Sequence, residues 1–469
     1  METLILIVIF LVACFVRLLN SGSFMTLTSE IAQHYLEIIR LLEGQALLSG
    51  PLTSHIWLRL SATPYYLFFP IFWILRFDPM TLNYVSILAN ILTVPLNYIV
   101  VRKIFDRKTA ILSSLFLALS PMDLVFARAP GFFSLVIPLT YLLIIQVFEA
   151  LKNRGANLWV IFLIVGIMST LHAASYMLMP FFVMLMIFVV KPSTKKYLTG
   201  IIAFLIPNVP FILIDAQRGF SMLKSLMIWV PYKFWNFLTG KTLGLNRDAV
   251  SDNTIAIVAD FFKGSVFPLQ FPTALGLGLM AFILLFFLSR RRTLFEKVLF
   301  YWLAFGVVVL LIHKNPPVHY FVPIFCLPII LLTRAIVSVF KKNGRPLLAV
   351  IVLTVLVTNV LFVFSGKFGF YDPKVSREFI PYANQLEAAK IIANDADGKD
   401  YMIQRIGPFD TYKNQFRENY EFLLWWLGNR PVNYSNSIYL IVEGETESNR
   451  IGSFKKIGVS GKISVYRNQ

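Results

Sequence analysis

The chain has 469 residues, 57% hydrophobic and 14% charged, and a formal net charge of +18 at pH 7. So apolar a composition at this length excludes a soluble globular fold and points to an all-α polytopic membrane protein. It does not signal a nucleic-acid partner, because the positive charge is split among short gaps between apolar runs and forms no continuous basic stripe.

Taken in chain order, bilayer-crossing runs are expected at 3–19, 82–101, 109–127, 131–150, 157–173, 174–190, 197–215, 271–289, 295–312, 319–338 and 346–364, about eleven by the length criterion. Each is expected to be a helix, since lipid offers no partner to a backbone N–H or C=O. The first run follows Glu2 and no basic residue, and no small-x-small site follows it. It reads as a retained first helix, not a cleaved signal peptide. Cys14 and Cys326 both lie inside apolar runs and so say nothing about disulfides or compartment.

Lys and Arg sit in alternate gaps: Arg102, Lys103, Arg107 and Lys108; Lys152 and Arg154; Lys191, Lys195 and Lys196; Arg290 to Arg292 with Lys297; Arg334, Lys341, Lys342 and Arg345. By the positive-inside rule these gaps are cytoplasmic, facing anionic headgroups. The gaps between them, 121–130, 172–176 and 313–318, hold only Arg128 and Lys314. Residues 60–75, bracketed by Arg59 and Arg76 and broken by Pro64 and Pro70, are too short to span and are expected as a re-entrant or interfacial hairpin. The N-terminus is then cytoplasmic and 20–81 external. A crossing there would flip the N-terminus outward, as the flanking charges Glu2 and Arg17 locally favour. External segments are thus expected at 20–81, 216–270 and 365–469, giving a transmembrane module over 1–364 in the plasma membrane with an extracytoplasmic active site. Residues 365–469 turn to mixed charge, with helical periodicity at 379–394 and 414–428 and strand-like runs at 400–405, 437–443 and 462–467. That pattern predicts a small α+β domain. No repeat is evident, which weighs against a transporter or lipid-linked-glycan flippase, the alternative class.

Four clusters carry residues suited to chemistry. In Thr28 to Gly44 apolar positions recur at helical spacing, so an interfacial helix is expected, with Glu30 in its first turn and His34 and Glu37 on the same face. Either Ser29 caps this helix and Glu30 complements its dipole, or Glu30 is a general base at the lipid–water boundary. His34 and Glu37 also have the spacing of two metal ligands, so a divalent ion stays open while no other cofactor is implied. At Ser120 to Pro130, Asp123 and Arg128 either pair with each other or leave Arg128 to hold a phosphate. The run His313, Lys314 and Asn315 to His319 and Tyr320 is either a plain polar loop or a second phosphate contact, meeting Arg128 over one external cavity. His55, Trp57 and Arg59, leading to Tyr65 and Tyr66, suit either interfacial anchoring or stacking on a sugar.

Together these features resemble the GT-C glycosyltransferases, in particular the dolichyl-phosphate-mannose and aminoarabinose transferase-like branch, glycosyltransferase family 39. An acidic pair opening a juxtamembrane helix is matched by Ser29 and Glu30, a Pro-aromatic interfacial helix by Thr63, Pro64, Tyr65 and Tyr66, and a Ser-Pro before an Arg by Ser120, Pro121 and Arg128. A late Arg-Tyr is matched in part by His319 and Tyr320. The likeness covers about residues 1–340. It implies inverting transfer of a sugar from a polyprenyl-phosphate donor to a lipid, glycan or protein acceptor at the outer face, with Glu30 as base and Arg128, Lys314, His313 and His319 on the donor phosphate. His34, His55, Arg59, Tyr65 and Asp123 would contact acceptor or sugar. Ser29 stands where the family has its first acid and His319 where it has Arg, which leaves the base role to Glu30 alone.

Overall fold

The structure, a computed structural model, describes residues 2–53, 57–153, 155–240, 253–289, 292–340, 344–365, 380–407, 416–444, 451 and 453–468. The chain opens with α1 (Glu2–Leu18), the one-turn α2 (Ser21–Phe24) and α3 (Ser29–Leu42), followed by an antiparallel pair, β1 (Ser49–Leu52) and β2 (Arg59–Ser61). Next come α4 (Thr63–Ile74), α5 (Thr81–Ile104), α6 (Arg107–Ala118), α7 (Pro121–Arg128), α8 (Val136–Lys152), α9 (Leu158–Leu171) and α10 (Leu178–Leu185). They are followed by α11 (Thr194–Leu205), α12 (Val209–Gln217), α13 (Ser221–Thr239), α14 (Thr254–Gly264), α15 (Thr273–Leu288), α16 (Leu294–His313), α17 (Cys326–Val339) and α18 (Arg345–Ser365). The C-terminal residues form α19 (Tyr382–Ala396), β3 (Met402–Ile406), α20 (Glu418–Trp426), β4 (Ile438–Glu443), β5 (Lys455–Ser460) and β6 (Ile463–Arg467).

Among the described residues seven helical stretches are long and apolar enough to cross a bilayer, and nine if each of two bent pairs counts as one span. The bent pairs are α6 with α7, at 54°, and Val318–Ile324 with α17, at 59°. All the runs expected to cross are therefore helical, but α9 and α15 are shorter than a full span. The α6–α7 bend has a local cause: Pro121 occupies the first turn of α7, and the Ser120 side chain accepts the Asp123 N–H at 3.3 Å as its cap. The 60–75 segment is the helix α4, 12 residues with Pro70 inside. At 1.5 Å per residue that is about 18 Å, short of the ~30 Å of hydrocarbon. Its Tyr66, Leu67, Trp73 and Ile74 are exposed, as suits a helix lying at headgroup level.

By compactness the chain divides into one unit of residues 1–18, 48–64 and 86–365, and a second of residues 19–47, 65–85 and 366–469. In the first unit, ion pairs gather the basic gaps at one end of the helices. Glu2 pairs with Arg102 at 2.9 Å and Arg107 at 3.1 Å, Glu149 with Lys103 at 2.6 Å, and Arg334 with Glu296 at 2.8 Å and Asp106 at 3.2 Å. Glu2 thus lies at the end of the basic gaps, the arrangement that goes with a non-crossing 60–75. Polar residues of α5 at helical spacing, Ser86, Asn90, Thr93 and Asn97, are fully buried. They bond within the helix and across to Ser113, Ser114 and Ser134, so the stripe acts as polar glue between apolar helices.

In the second unit a four-stranded sheet has the order β3-β4-β6-β5, with β3 and β4 parallel and the other pairings antiparallel. Helix α19 packs on β5 and β6, and α20 packs on α3. The helices and three of the strands match the sequence expectation. Strand β5 was not expected, because Lys455, Lys456 and Gly458 break the apolar alternation; it is an edge strand, and lysine suits an edge. It returns to β6 through Gly461, whose φ of +57° is a conformation glycine adopts without strain. The early residues are tied in through Gln385, which accepts from the Leu27 N–H at 2.9 Å and donates to the Leu27 carbonyl at 3.0 Å.

Candidate functional site

Within the first unit, α13 runs beside α16 and presents Trp229, Lys233 and Asn236, spaced i, i+4 and i+7, on one face. The Lys233 ammonium donates to the His313 carbonyl at 3.3 Å and lies 5.5 Å from the Trp229 ring centre. The Lys314 ammonium donates to the Asn236 side-chain oxygen at 2.9 Å. Both cations therefore stand at the C-terminal end of α16, where the last carbonyls carry partial negative charge. Burial first, and the Lys314 charge second, lower the Lys233 pKa from its ordinary value. Lys314 and Asn315 hold positive φ of 59° and 44°, uncommon for side-chain-bearing residues and a mark of backbone held by its surroundings.

This polar corner borders a cavity of about 520 Å³ whose walls are otherwise apolar, among them Trp57, Trp229, Phe234 and Phe305, with Lys233 and His313 at its edge. Tyr320 closes it, ringed by three histidines: His313 at 5.0 Å, His319 at 5.1 Å and His172 at 5.4 Å between ring centres. An apolar chamber with one ammonium group and one imidazole in its lining is suited to an amphiphile with an anionic head.

Neither Arg128 nor Asp123 lines this cavity. The Asp123 carboxylate is fully buried and pairs with Arg17, not with Arg128 as the sequence allowed. Arg17 also donates to the Ala118 and Leu117 carbonyls at 3.0 and 3.1 Å. Arg128 is 2% exposed, and its guanidinium donates to the Val16 carbonyl at 2.6 Å. The α6–α7 bend turns these side chains inward onto the end of α1, so their geometry is that of a buried polar knot joining three helices. The expected meeting of Arg128 with Lys314 is not seen in this cavity, which neither side chain lines. Arg59 sits on β2 and donates to Ser49 at 3.4 Å across the strand pair. His55 lies outside the described residues.

In the second unit, Glu30 is exposed in the first turn of α3. The cap is Thr28, whose side chain accepts from the Ile31 N–H at 3.3 Å, in place of the expected Ser29. The Ser29 hydroxyl instead donates to Glu418 of α20, whose other oxygen accepts from Gln33 at 3.0 Å. A second carboxylate thus does stand at this end of α3, supplied from nearly 400 residues away. His34 and Tyr65 are brought together, Nδ1 to Oη 3.3 Å, and burial pushes the His34 pKa down to about 4. Glu37 pairs with Arg40 at 2.8 Å. Among the described residues no three His, Cys, Asp or Glu side chains converge as metal ligands.

Sequence reasoning missed Lys233, Trp229, Asn236 and Glu418. The run Trp229 to Asn236, aromatic and carrying one lysine, is a signal inside 216–270, a segment expected only to be external, whereas it holds α13 and α14. Glu418 leaves no local trace, since its significance comes from packing.

No family model and no curated protein sequence matches the chain. Solved structures do. ArnT from Cupriavidus metallidurans, in the apo state, aligns with a TM-score of 0.62 over 99% of this chain and 98% of that one at 12% identity, and its complex with undecaprenyl phosphate does so equally at 11%. The oligosaccharyltransferase AglB from Archaeoglobus fulgidus, in complex with an inhibitory peptide and a dolichol-phosphate, aligns with a TM-score of 0.50 over 94% of this chain and 69% of that one at 13% identity. At these identities the likeness is one of fold, and it is the GT-C fold that the sequence resemblance implied.

Proposed function

We propose that the protein is a membrane glycosyltransferase that moves a sugar from a polyprenyl-phosphate donor to an acceptor at the outer face of the membrane, inverting the anomeric centre. The observation that carries this reading is the apolar cavity bordered by Lys233 and His313 and flanked by Lys314, which matches an isoprenoid chain with a phosphate at its end. Its fold neighbours, solved in complex with undecaprenyl phosphate and with a dolichol-phosphate, support the same ligand class. In the reaction the acceptor hydroxyl oxygen forms the bond to the anomeric carbon while the bond from that carbon to the phosphate oxygen breaks. The departing electron pair settles on the phosphate, where Lys314, Lys233, His313 and His319 offset its charge. The acceptor proton needs a carboxylate base, the role that the sequence resemblance gives to Glu30. A phosphate leaves readily, so no strong general acid is needed. His34 and Tyr65 are assigned to orienting the acceptor, and Glu418 to positioning the first turn of α3.

The side of the membrane follows from charge. The basic end of the first unit is assigned to the cytoplasm and the opposite end, bearing His313 to Asn315, to the exterior. Residues 1–364 are taken as the transfer module and 365–469 as an extracytoplasmic domain. The test is transfer from radiolabelled polyprenyl-phosphate sugars by protein in nanodiscs. Transfer lost in Glu30→Gln supports the reading; labelled lipid that only changes leaflet in proteoliposomes replaces it with a flippase.

A further inference from the structure

The second unit contains a cleft that the transfer chemistry does not use. It lies between α3 and α20, measures about 180 Å³, and is lined by Glu37, Arg40, Glu43, Glu421, Trp425 and Arg430 among others. Sites for drug-sized ligands begin at about 300 Å³, so this one has room for a single ring. Its charges are dense and already matched: Glu37 with Arg40 at 2.8 Å, Glu43 with Arg430 at 3.2 Å, and Glu421 with Arg417 at 2.7 Å. An ion entering it would break a pair without finding an uncompensated partner, which disfavours phosphates, uronates and free amines alike. A carboxylate has about four acceptor positions and a guanidinium five N–H donors. Each pair thus uses part of its capacity, and hydroxyl groups can share the remainder.

The apolar wall is the half-buried Trp425 ring. It is held edge-on by Phe77, with ring centres 5.6 Å apart, and stacked on Phe422 at 6.2 Å. Helix α20 is in turn fixed to the sheet by Tyr420, which donates to Glu443 at 2.7 Å, while Glu443 also pairs with Arg405. The indole is therefore set before a ligand arrives, which lowers the ordering cost of binding. The electron-rich face of an indole attracts the polarised C–H face of a pyranose, and matched carboxylates and guanidiniums around its rim meet the equatorial hydroxyls.

We propose that this cleft binds one uncharged sugar ring, stacked on Trp425 and held by hydroxyl contacts to the Glu37–Arg40 and Glu43–Arg430 pairs. If the transfer reading holds, the ligand is a sugar of a glycan acceptor, a step that rests on that reading; the site itself does not.

The experiment uses the full chain in nanodiscs without any donor. Saturation-transfer NMR is recorded with methyl glycosides of uncharged hexoses and pentoses, alongside glucuronate and glucosamine as charged counterparts. The expected result is saturation of at least one uncharged glycoside, lost in Trp425→Ala and reduced at least several-fold in Arg430→Gln. Arg430 and Glu43 are both exposed, so Arg430→Gln and Glu43→Gln keep the test valid should Trp425→Ala misfold. Absence of binding by every uncharged glycoside, preference for glucuronate or glucosamine, or binding unchanged in Arg430→Gln and Glu43→Gln would each overturn the site. Binding that persists in Glu30→Gln while transfer is lost separates this site from the transfer chemistry, and absence of binding leaves that chemistry standing.

Discussion

Lys233 and His313 meet across two helices, the lysine ammonium donating to the backbone carbonyl of the histidine at 3.3 Å. The contact sets a cation at the rim of the apolar cavity, and Lys314, held by Asn236 outside the cavity lining, carries a second charge nearby. Two ammonium groups kept close repel each other, and an anion placed between them relieves that repulsion. One charge-assisted hydrogen bond contributes about 1.5–3 kcal/mol. Lys233→Met and Lys314→Met are therefore each expected to raise the KM for a polyprenyl-phosphate donor by roughly 10- to 100-fold, with smaller changes in the acceptor KM. Equal donor KM values in wild type and both variants would remove the donor phosphate from this corner.

Glu30 and Glu418 stand at the same end of α3 but in different states. Glu30 is exposed, whereas the Glu418 carboxylate is engaged by Ser29 and Gln33. A general base contributes about 10²–10⁴-fold, so Glu30→Gln should lower kcat by that order with donor KM little changed. Glu418→Gln keeps an acceptor oxygen and the side-chain shape, and should lower kcat by less than about tenfold, while Glu418→Ala also lowers the unfolding temperature. The size of the kcat loss distinguishes the two, large in Glu30→Gln and small in Glu418→Gln. A reversal of that pattern would make Glu418 the base.

These two clusters show where the sequence was informative. Among the described residues, apolar run length was enough to locate the helices long enough to cross, because hydrocarbon imposes one backbone solution and charge is confined to the gaps. His313, Lys314 and His319 could be singled out because cations are scarce on their side. The partners of those residues were not legible: Lys233 and Asn236 lie some 80 positions away from Lys314 in sequence, and pairing across helices depends on how side chains interlock. Asp123 shows the reverse limit. A nearby Arg128 made the local pair natural, yet the bend between α6 and α7 gives the carboxylate to Arg17.

That buried Arg17–Asp123 pair makes a stability prediction independent of the proposed chemistry. Neither side chain has exposed surface, and Arg17 also satisfies the Leu117 and Ala118 carbonyls where α6 ends. Removing one partner leaves the other charged in an apolar interior, at a cost of about 3–5 kcal/mol, whereas replacing both by apolar residues of similar volume is close to neutral. Arg17→Met should accordingly lower the unfolding temperature in detergent sharply. Arg17→Met combined with Asp123→Leu should recover most of that loss. A double variant no better than the single one would assign the stabilisation to the carbonyl contacts alone.

His34 offers a pH-dependent test within the second unit. Burial beside Tyr65 pushes its pKa down to about 4, from about 6.5 for an unperturbed histidine. The folded protein therefore keeps the ring neutral down to about pH 4, while the unfolded chain takes up a proton below about pH 6.5. Between these values the unfolded state binds more protons, so stability is complete above pH 6.5 and declines as the pH falls towards 4. In His34→Gln that contribution is absent. Unfolding temperatures recorded from pH 7.5 to 4.5 should fall more steeply for the wild type than for the variant, with the two curves separating below about pH 6.5. Parallel curves over the whole range would mean that the imidazole titrates as a solvated group and that its contact with Tyr65 does not hold it neutral.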